Sequence, residues 1–223
     1  MLAIAIPFTE PWMVAPHATI DVPDVQACRA LLAGMDLAVP SRADGRRNWH
    51  RERFCIASFL RYACDTAPSL FPAKLIRQQS PDFVLVPCAP SRALAIEHTD
   101  ASDPDFQDRL DAEARTAGVS AKRLPSRGAA ATAAWERDLR AAVERKSSPK
   151  RWINEAPQSV RCLLVYELME TFMAVDDDEA LAIATRVLDE PDAAAIGVRS
   201  IALIRSSATM IWAGTPIRAL VAM

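Results

Sequence analysis

Two short runs, Phe83-Val84-Leu85-Val86 and Leu94-Ala95-Ile96, are apolar at every position and flank the turn-forming stretch Cys88-Ala89-Pro90-Ser91. A strand sends successive side chains to opposite faces, so a strand that is apolar throughout must be covered on both. These runs predict a hairpin, Asp82 to Pro87 returning as Arg92 to Thr99, inside a sheet sandwiched by helices.

The flanking segments supply such helices. Asp24 is placed to cap a helix over Val25 to Ala33. A second helix, Arg47 to Ala63, has an apolar stripe at Trp49, Ile56, Phe59, Leu60 and Ala63 and is ended by Pro68 and Pro72. Asp103-Pro104 opens a third helix that Gly118 closes, and Lys122 to Gly128 reads as a basic loop. A long helix covers Ala131 to Lys146, and another Asp178 to Leu188. Further strands are expected at Val160 to Tyr166, Ile196 to Ile204 and Thr209 to Ala213. The order implies an α/β fold with a mixed central sheet and helices on both faces. We expect one domain over 1–223, with a core at about 47–168, a helical N-terminal extension (1–46) and a helix-strand C-terminal extension (169–223).

An apolar fraction of 51% is enough to fill a sizeable core and excludes wholesale disorder. The five cysteines are scattered and never spaced as Cys-x-x-Cys, so they suit a reducing cytoplasm rather than a disulfide framework or zinc site. The apolar run Met1 to Phe8 is too short to span a membrane, and charge or proline cuts every other run. A net charge of -2 excludes a uniformly basic nucleic-acid coat. Locally, however, Arg42 to Arg53 and Arg137 to Arg151 are basic, whereas Asp100 to Glu113 and Asp176 to Asp192 are acidic. Solvated helix faces account for most such runs.

The hairpin register follows by counting. A loop of Cys88 to Ser91, or of Ala89-Pro90 alone, sets Asp82 opposite Glu97, whereas a loop of odd length would shift the register by one and part them. Opposed residues have Cβ atoms roughly 4.5–5.5 Å apart on one face. Two carboxylates that close repel, so one takes up a proton or a cation lies between them. Oxygen donors on a sheet suit a hard ion such as magnesium or manganese. The plainer alternative is a turn aspartate after Pro81 and an exposed strand-end glutamate. Glu52 lies on the buried line Glu52, Ile56, Phe59, Ala63, and there needs either the site or an arginine partner. Lys146 ends the stripe Trp135, Leu139, Val143, so its stem either points to the sheet or snorkels at a helix C-terminus.

A helix with Glu52, then Gln79-Ser80-Pro81-Asp82-Phe83, then Ile96-Glu97-His98-Thr99, then a helix and a strand, resembles the PD-(D/E)XK nuclease-like superfamily over roughly Arg47 to Tyr166. The resemblance implies a restriction-endonuclease-like core, with Asp82 and Glu97 as metal ligands for magnesium or manganese and Glu52 as an auxiliary acid. It implies hydrolysis of nucleic-acid phosphodiesters, DNA before RNA. The family's lysine two residues after the glutamate is here Thr99. In some branches a following helix supplies it, which makes Lys146 the first candidate and Lys150 the second. On this reading Arg46, Arg47, Arg51, Arg53 and Lys150 contact phosphates without reading sequence. The competing expectation is a catalytically degenerate member that binds nucleic acid or a protein partner.

Other chemistry is poorly represented. Strand alternation sends His98 away from Glu97, to the face of Leu94 and Ile96. His17 and His50 have no ligand-spaced partners, although His50 sits at the basic helix start. Neither Ser147-Ser148 nor Ser206-Ser207 has a nucleophile-elbow setting. Six glycines, none in a Gly-x-Gly-x-x-Gly or Walker loop, argue against nucleotide cradling. The five tryptophans read as core anchors.

Overall fold

The computed structural model describes residues 10–15, 17–40, 45–88, 92–101, 129–152, 159–167, 175–195, 197–205 and 209–222. The elements are α1 (Glu10–Val14), β1 (Thr19–Val22), α2 (Val25–Ala33), α3 (Asn48–Thr66), β2 (Ala73–Arg77), β3 (Phe83–Pro87), β4 (Leu94–Ala101) and α4 (Ala129–Lys146), followed by β5 (Val160–Glu167), α5 (Asp177–Leu188), α6 (Pro191–Ala195), β6 (Val198–Ile204), β7 (Met210–Gly214) and α7 (Ile217–Ala222). The helix expected from Asp103 to Gly118, the Lys122 to Gly128 loop and the hairpin tip 89–91 lie outside the described residues.

The strands form one seven-stranded mixed sheet in chain order, β1 to β7. The first four are antiparallel neighbours, β4, β5 and β6 run parallel, and β7 turns back against β6. Parallel neighbours need a crossover. Here α4 links β4 to β5, and α5 with α6 links β5 to β6.

Both faces of the sheet are covered, as the apolar runs require. On one face Leu94, Ile96, Cys162, Leu164 and Ala202 pack with α1, α2, α3 and α7. On the other, Ala95, Ala101, Leu163, Val165 and Leu203 pack with Trp135, Leu139 and Val143 of α4 and with Ile183 and Val187 of α5. Alternation therefore puts Glu97 and Thr99 on the α4 face and His98 on the α3 face.

Two expectations need correction. The N-terminal extension is not purely helical, because Thr19–Val22 forms edge strand β1 against β2. Four residues with Asp21 among them are too few to display a period. Strand β2 was also hidden, since Ala73–Arg77 carries Lys74 and follows the breaker Pro72. The second correction concerns α3. It is buried nearly all round from Arg53 to Leu60, because α1, α2 and α7 cover the side turned from the sheet. Arg51 and Arg53, expected on a wet phosphate-facing side, are 8% exposed each.

At the far end of β5, Glu167 is fully buried 3.2 Å from Arg205, which also pairs with Asp177 at 2.8 Å. Burial, opposed by Arg205 and reinforced by Asp177, pushes the Glu167 carboxyl up to about 7. An unfolded glutamate titrates at about 4.3, so the folded state holds this proton more tightly. Its stabilising contribution is complete below the unfolded value and is lost as pH rises through the folded one. Urea unfolding across pH should therefore show wild-type stability falling relative to Glu167→Gln between about pH 4.5 and 7, then levelling. Core burial sets a second expectation. Leu139→Ala should cost about 2–5 kcal/mol, whereas Leu181→Ala on the outer side of α5 should cost under about 0.5 kcal/mol in the same assay.

Candidate active site

The β3–β4 ladder pairs Leu85 with Leu94, Val84 with Ala95 and Phe83 with Ile96. One step further puts Asp82 opposite Glu97, the register obtained by counting from the turn. Here β3 ends while β4 runs on to Ala101. The two carboxylates take over where the ladder stops. The Asp82 backbone N–H donates to Glu97 Oε2 at 3.0 Å, and the His98 N–H donates to Asp82 Oδ2 at 2.8 Å. Backbone donors that β3 no longer serves are satisfied by acids, and the acids are oriented in return.

Lys146, at the C-terminal end of α4, donates from Nζ to Glu97 Oε1 at 2.6 Å. Its helix is anchored on the sheet by Trp135, Leu139 and Val143, so the stripe carries the lysine stem to the acid. Lys150, beyond Pro149, is exposed instead. Thr99 is buried on the Glu97 face and brings no charge. Glu97 itself is 1% exposed, whereas the Asp82 and Lys146 side chains are 13% and 14% exposed. The deepest acid is thus sealed while its companions touch solvent.

Burial, reinforced by the Asp82 charge and opposed by Lys146, pushes the Glu97 carboxyl up to about 7. Glu52 is raised as well, by burial and then by Asp82. Its partner is neither a helical arginine nor the site lysine but Arg77 of β2, whose Nη2 donates to Glu52 Oε2 at 2.8 Å. Arg77 also donates to the Asp82 carbonyl at 2.8 Å and lies 3.8 Å from Asp82 Oδ1. Arg77 does not stand out in the sequence because β2 itself carries no clear strand pattern. Once Ala73 and Leu75 are seen as inward positions, the same alternation points Arg77 to the α3 face.

The opposite face of β4 holds a second polar group. His98 is buried against Cys55, with Nε2 3.4 Å from Asp100 Oδ1. Burial alone would lower the imidazole, but Cys55 and Asp100 outweigh it and raise it well above its ordinary value. Arg51 pairs with Asp100, and Arg145 donates to the Asp100 carbonyl at 2.6 Å. Arg51 is thus committed to a buried ion pair, which removes it from the candidate phosphate contacts. Arg53 donates to the Ala38 carbonyl and stacks over Trp49. Arg46 is half-buried near Tyr166, and Arg47 is exposed beside the start of α3. His50 accepts the Arg47 backbone N–H at 2.9 Å and serves as a helix-start cap.

Two carboxylates with fixed orientation and hard oxygen donors fit a magnesium-like ion, which needs only one or two protein carboxylates and completes its shell with water and phosphate oxygens. The Asp82 repulsion that adds to burial in raising Glu97 is what such an ion would relieve. Among the described residues, no group of three or more His, Cys, Asp or Glu is arranged to hold an ion. No helix among them is long and apolar enough to cross a membrane.

Comparison with protein-family models, curated proteins and solved structures returns no match. The site therefore stands on its own geometry. Because Lys146 holds Glu97 down, Lys146→Met should drive the Glu97 titration above about 7, read by carbon-13 NMR of the side-chain carboxyl.

Proposed function

We propose that this chain is a metal-dependent nuclease that hydrolyses phosphodiester bonds of nucleic acid, DNA first. One observation carries the reading. Lys146 Nζ of α4 lies 2.6 Å from Glu97 Oε1, which supports Lys146 as the lysine that Thr99 does not provide. The order α3, β2, β3, β4, α4, β5 supports a restriction-endonuclease-like core, with Asp82 at the start of one strand and Glu97 within the next.

Asp82 and Glu97 would hold magnesium or manganese, which when bound lowers the pKa of water and polarises a phosphoryl oxygen. The chain's own residues do the remaining work. Lys146 faces the carboxylate pair from α4 and stabilises negative charge that develops on the phosphate or orients the attacking water. Glu52 contributes auxiliary negative charge from α3. Arg46, Arg47 and Lys150 remain candidates to hold the nucleic-acid backbone, and Arg51 does not.

A second reading is a degenerate nuclease-fold protein that binds nucleic acid or a protein partner without cutting. It is favoured by Thr99 and by the ion pair in which Glu97 already neutralises Lys146. Incubation with single- and double-stranded DNA and RNA, with magnesium or manganese, separates the two. The nuclease reading expects metal-dependent cleavage, abolished in Glu97→Ala and reduced about 100-fold in kcat in Lys146→Ala. Salt-sensitive binding without cleavage in the wild type would establish the second reading instead.

A further inference from the structure

We propose that Arg77 is the positioning residue of this site, fixing Glu52 and Asp82 around the Glu97 carboxylate; its catalytic meaning rests on the nuclease reading above. The guanidinium draws together α1, α3 and the β2–β3 turn. Nε donates to the Met13 carbonyl at 3.0 Å, Nη2 to Glu52 Oε2 at 2.8 Å, and Nη1 to the carbonyls of Gln78 and Asp82, the latter at 2.8 Å. The group lies 5.2 Å over the Phe83 ring. Only a planar fork with five donors can serve acceptors spread over three elements; an ammonium presents its three from one atom.

The consequence falls on Asp82. Its carbonyl accepts from Arg77 and from the Gln78 N–H at 2.8 Å, its own N–H is bonded to Glu97, and its carboxylate caps the His98 N–H. Arg77 is the only one of these partners that also holds Glu52. Without it, two partly buried acids would lose the guanidinium that contacts both, and Asp82 would keep only the turn bond on its carbonyl. The carboxylate would then lose the orientation that the His98 bond reports. Lys146 cannot substitute, because it engages Glu97 from the α4 side.

The chain therefore predicts a local loosening rather than a global one. Amide hydrogen exchange by NMR on wild type, Arg77→Lys and Arg77→Gln reads it directly. In Arg77→Lys the His98 and Asp82 amides should exchange about tenfold faster or more, while Leu164 and Leu203 in the central strands keep wild-type rates. In the cleavage assay kcat should fall about tenfold or more with KM for nucleic acid nearly unchanged, as expected for misplaced groups. His98 exchange at the wild-type rate, or faster only in step with Leu164, overturns the proposal. If neither variant folds, the wild-type Arg77 Nε–H must still give a slowly exchanging signal, and rapid exchange there overturns it too. A wild type that cuts nothing removes the nuclease reading, while the exchange pattern still decides whether Arg77 positions the acids.

Discussion

A carboxylate sealed in the face of a central strand is expensive unless every oxygen is met, and Glu97 is 1% exposed. Its two oxygens are taken by the Asp82 N–H and by the Lys146 ammonium. That pair of contacts depends on much else in the molecule. It requires β3 to stop one residue short of Glu97, so that Asp82 is free to turn its N–H inward. It also requires α4 to lie along β4 with Lys146 at its end, which the Trp135, Leu139 and Val143 stripe secures. The packing of one helix and the termination of one strand thus meet at a single acid.

Charge balance explains why the neighbourhood has its composition. Glu52, Asp82 and Glu97 face Arg77 and Lys146, His98 acts on Glu52 as well, and both glutamates are pushed upward first by burial and then by Asp82. The share of that push that comes from Asp82 is what a divalent ion or a protonation would relieve. On the α3 side of β4, the side that also carries Glu52 and Arg77, Arg51, Asp100 and His98 form a buried group that holds the strand against α3. Those residues look like site residues by type, yet Arg51 and His98 both turn to Asp100.

The site was partly legible because its logic is local. Proline and turn residues around 88–91 define the hairpin length, a two-residue period then sets the faces, and the pairing Phe83 with Ile96 follows. The 3.6-residue period put Lys146 on the sheet-facing stripe of its helix, and the contact with Glu97 decided between an inward and a snorkelling stem. Arg77 was not legible in the same way. Its strand is five residues long, carries Lys74, and earns its identity from neighbours β1 and β3 rather than from pattern. The arginines of α3 misled for a related reason. Periodicity ranks the sides of a helix, but it does not count how many neighbours will cover them.

By itself, then, the sequence determined a mixed sheet covered on both faces and the Asp82–Glu97 register, since alternation and turn length act between residues near in sequence. Tertiary structure alone decided who neutralises whom. Glu52 meets Arg77 across 25 residues and Glu97 meets Lys146 across 49. Ion pairing selects the nearest unmet charge in space, and which charge is nearest is known only after α3 and α4 have packed on opposite faces of the sheet.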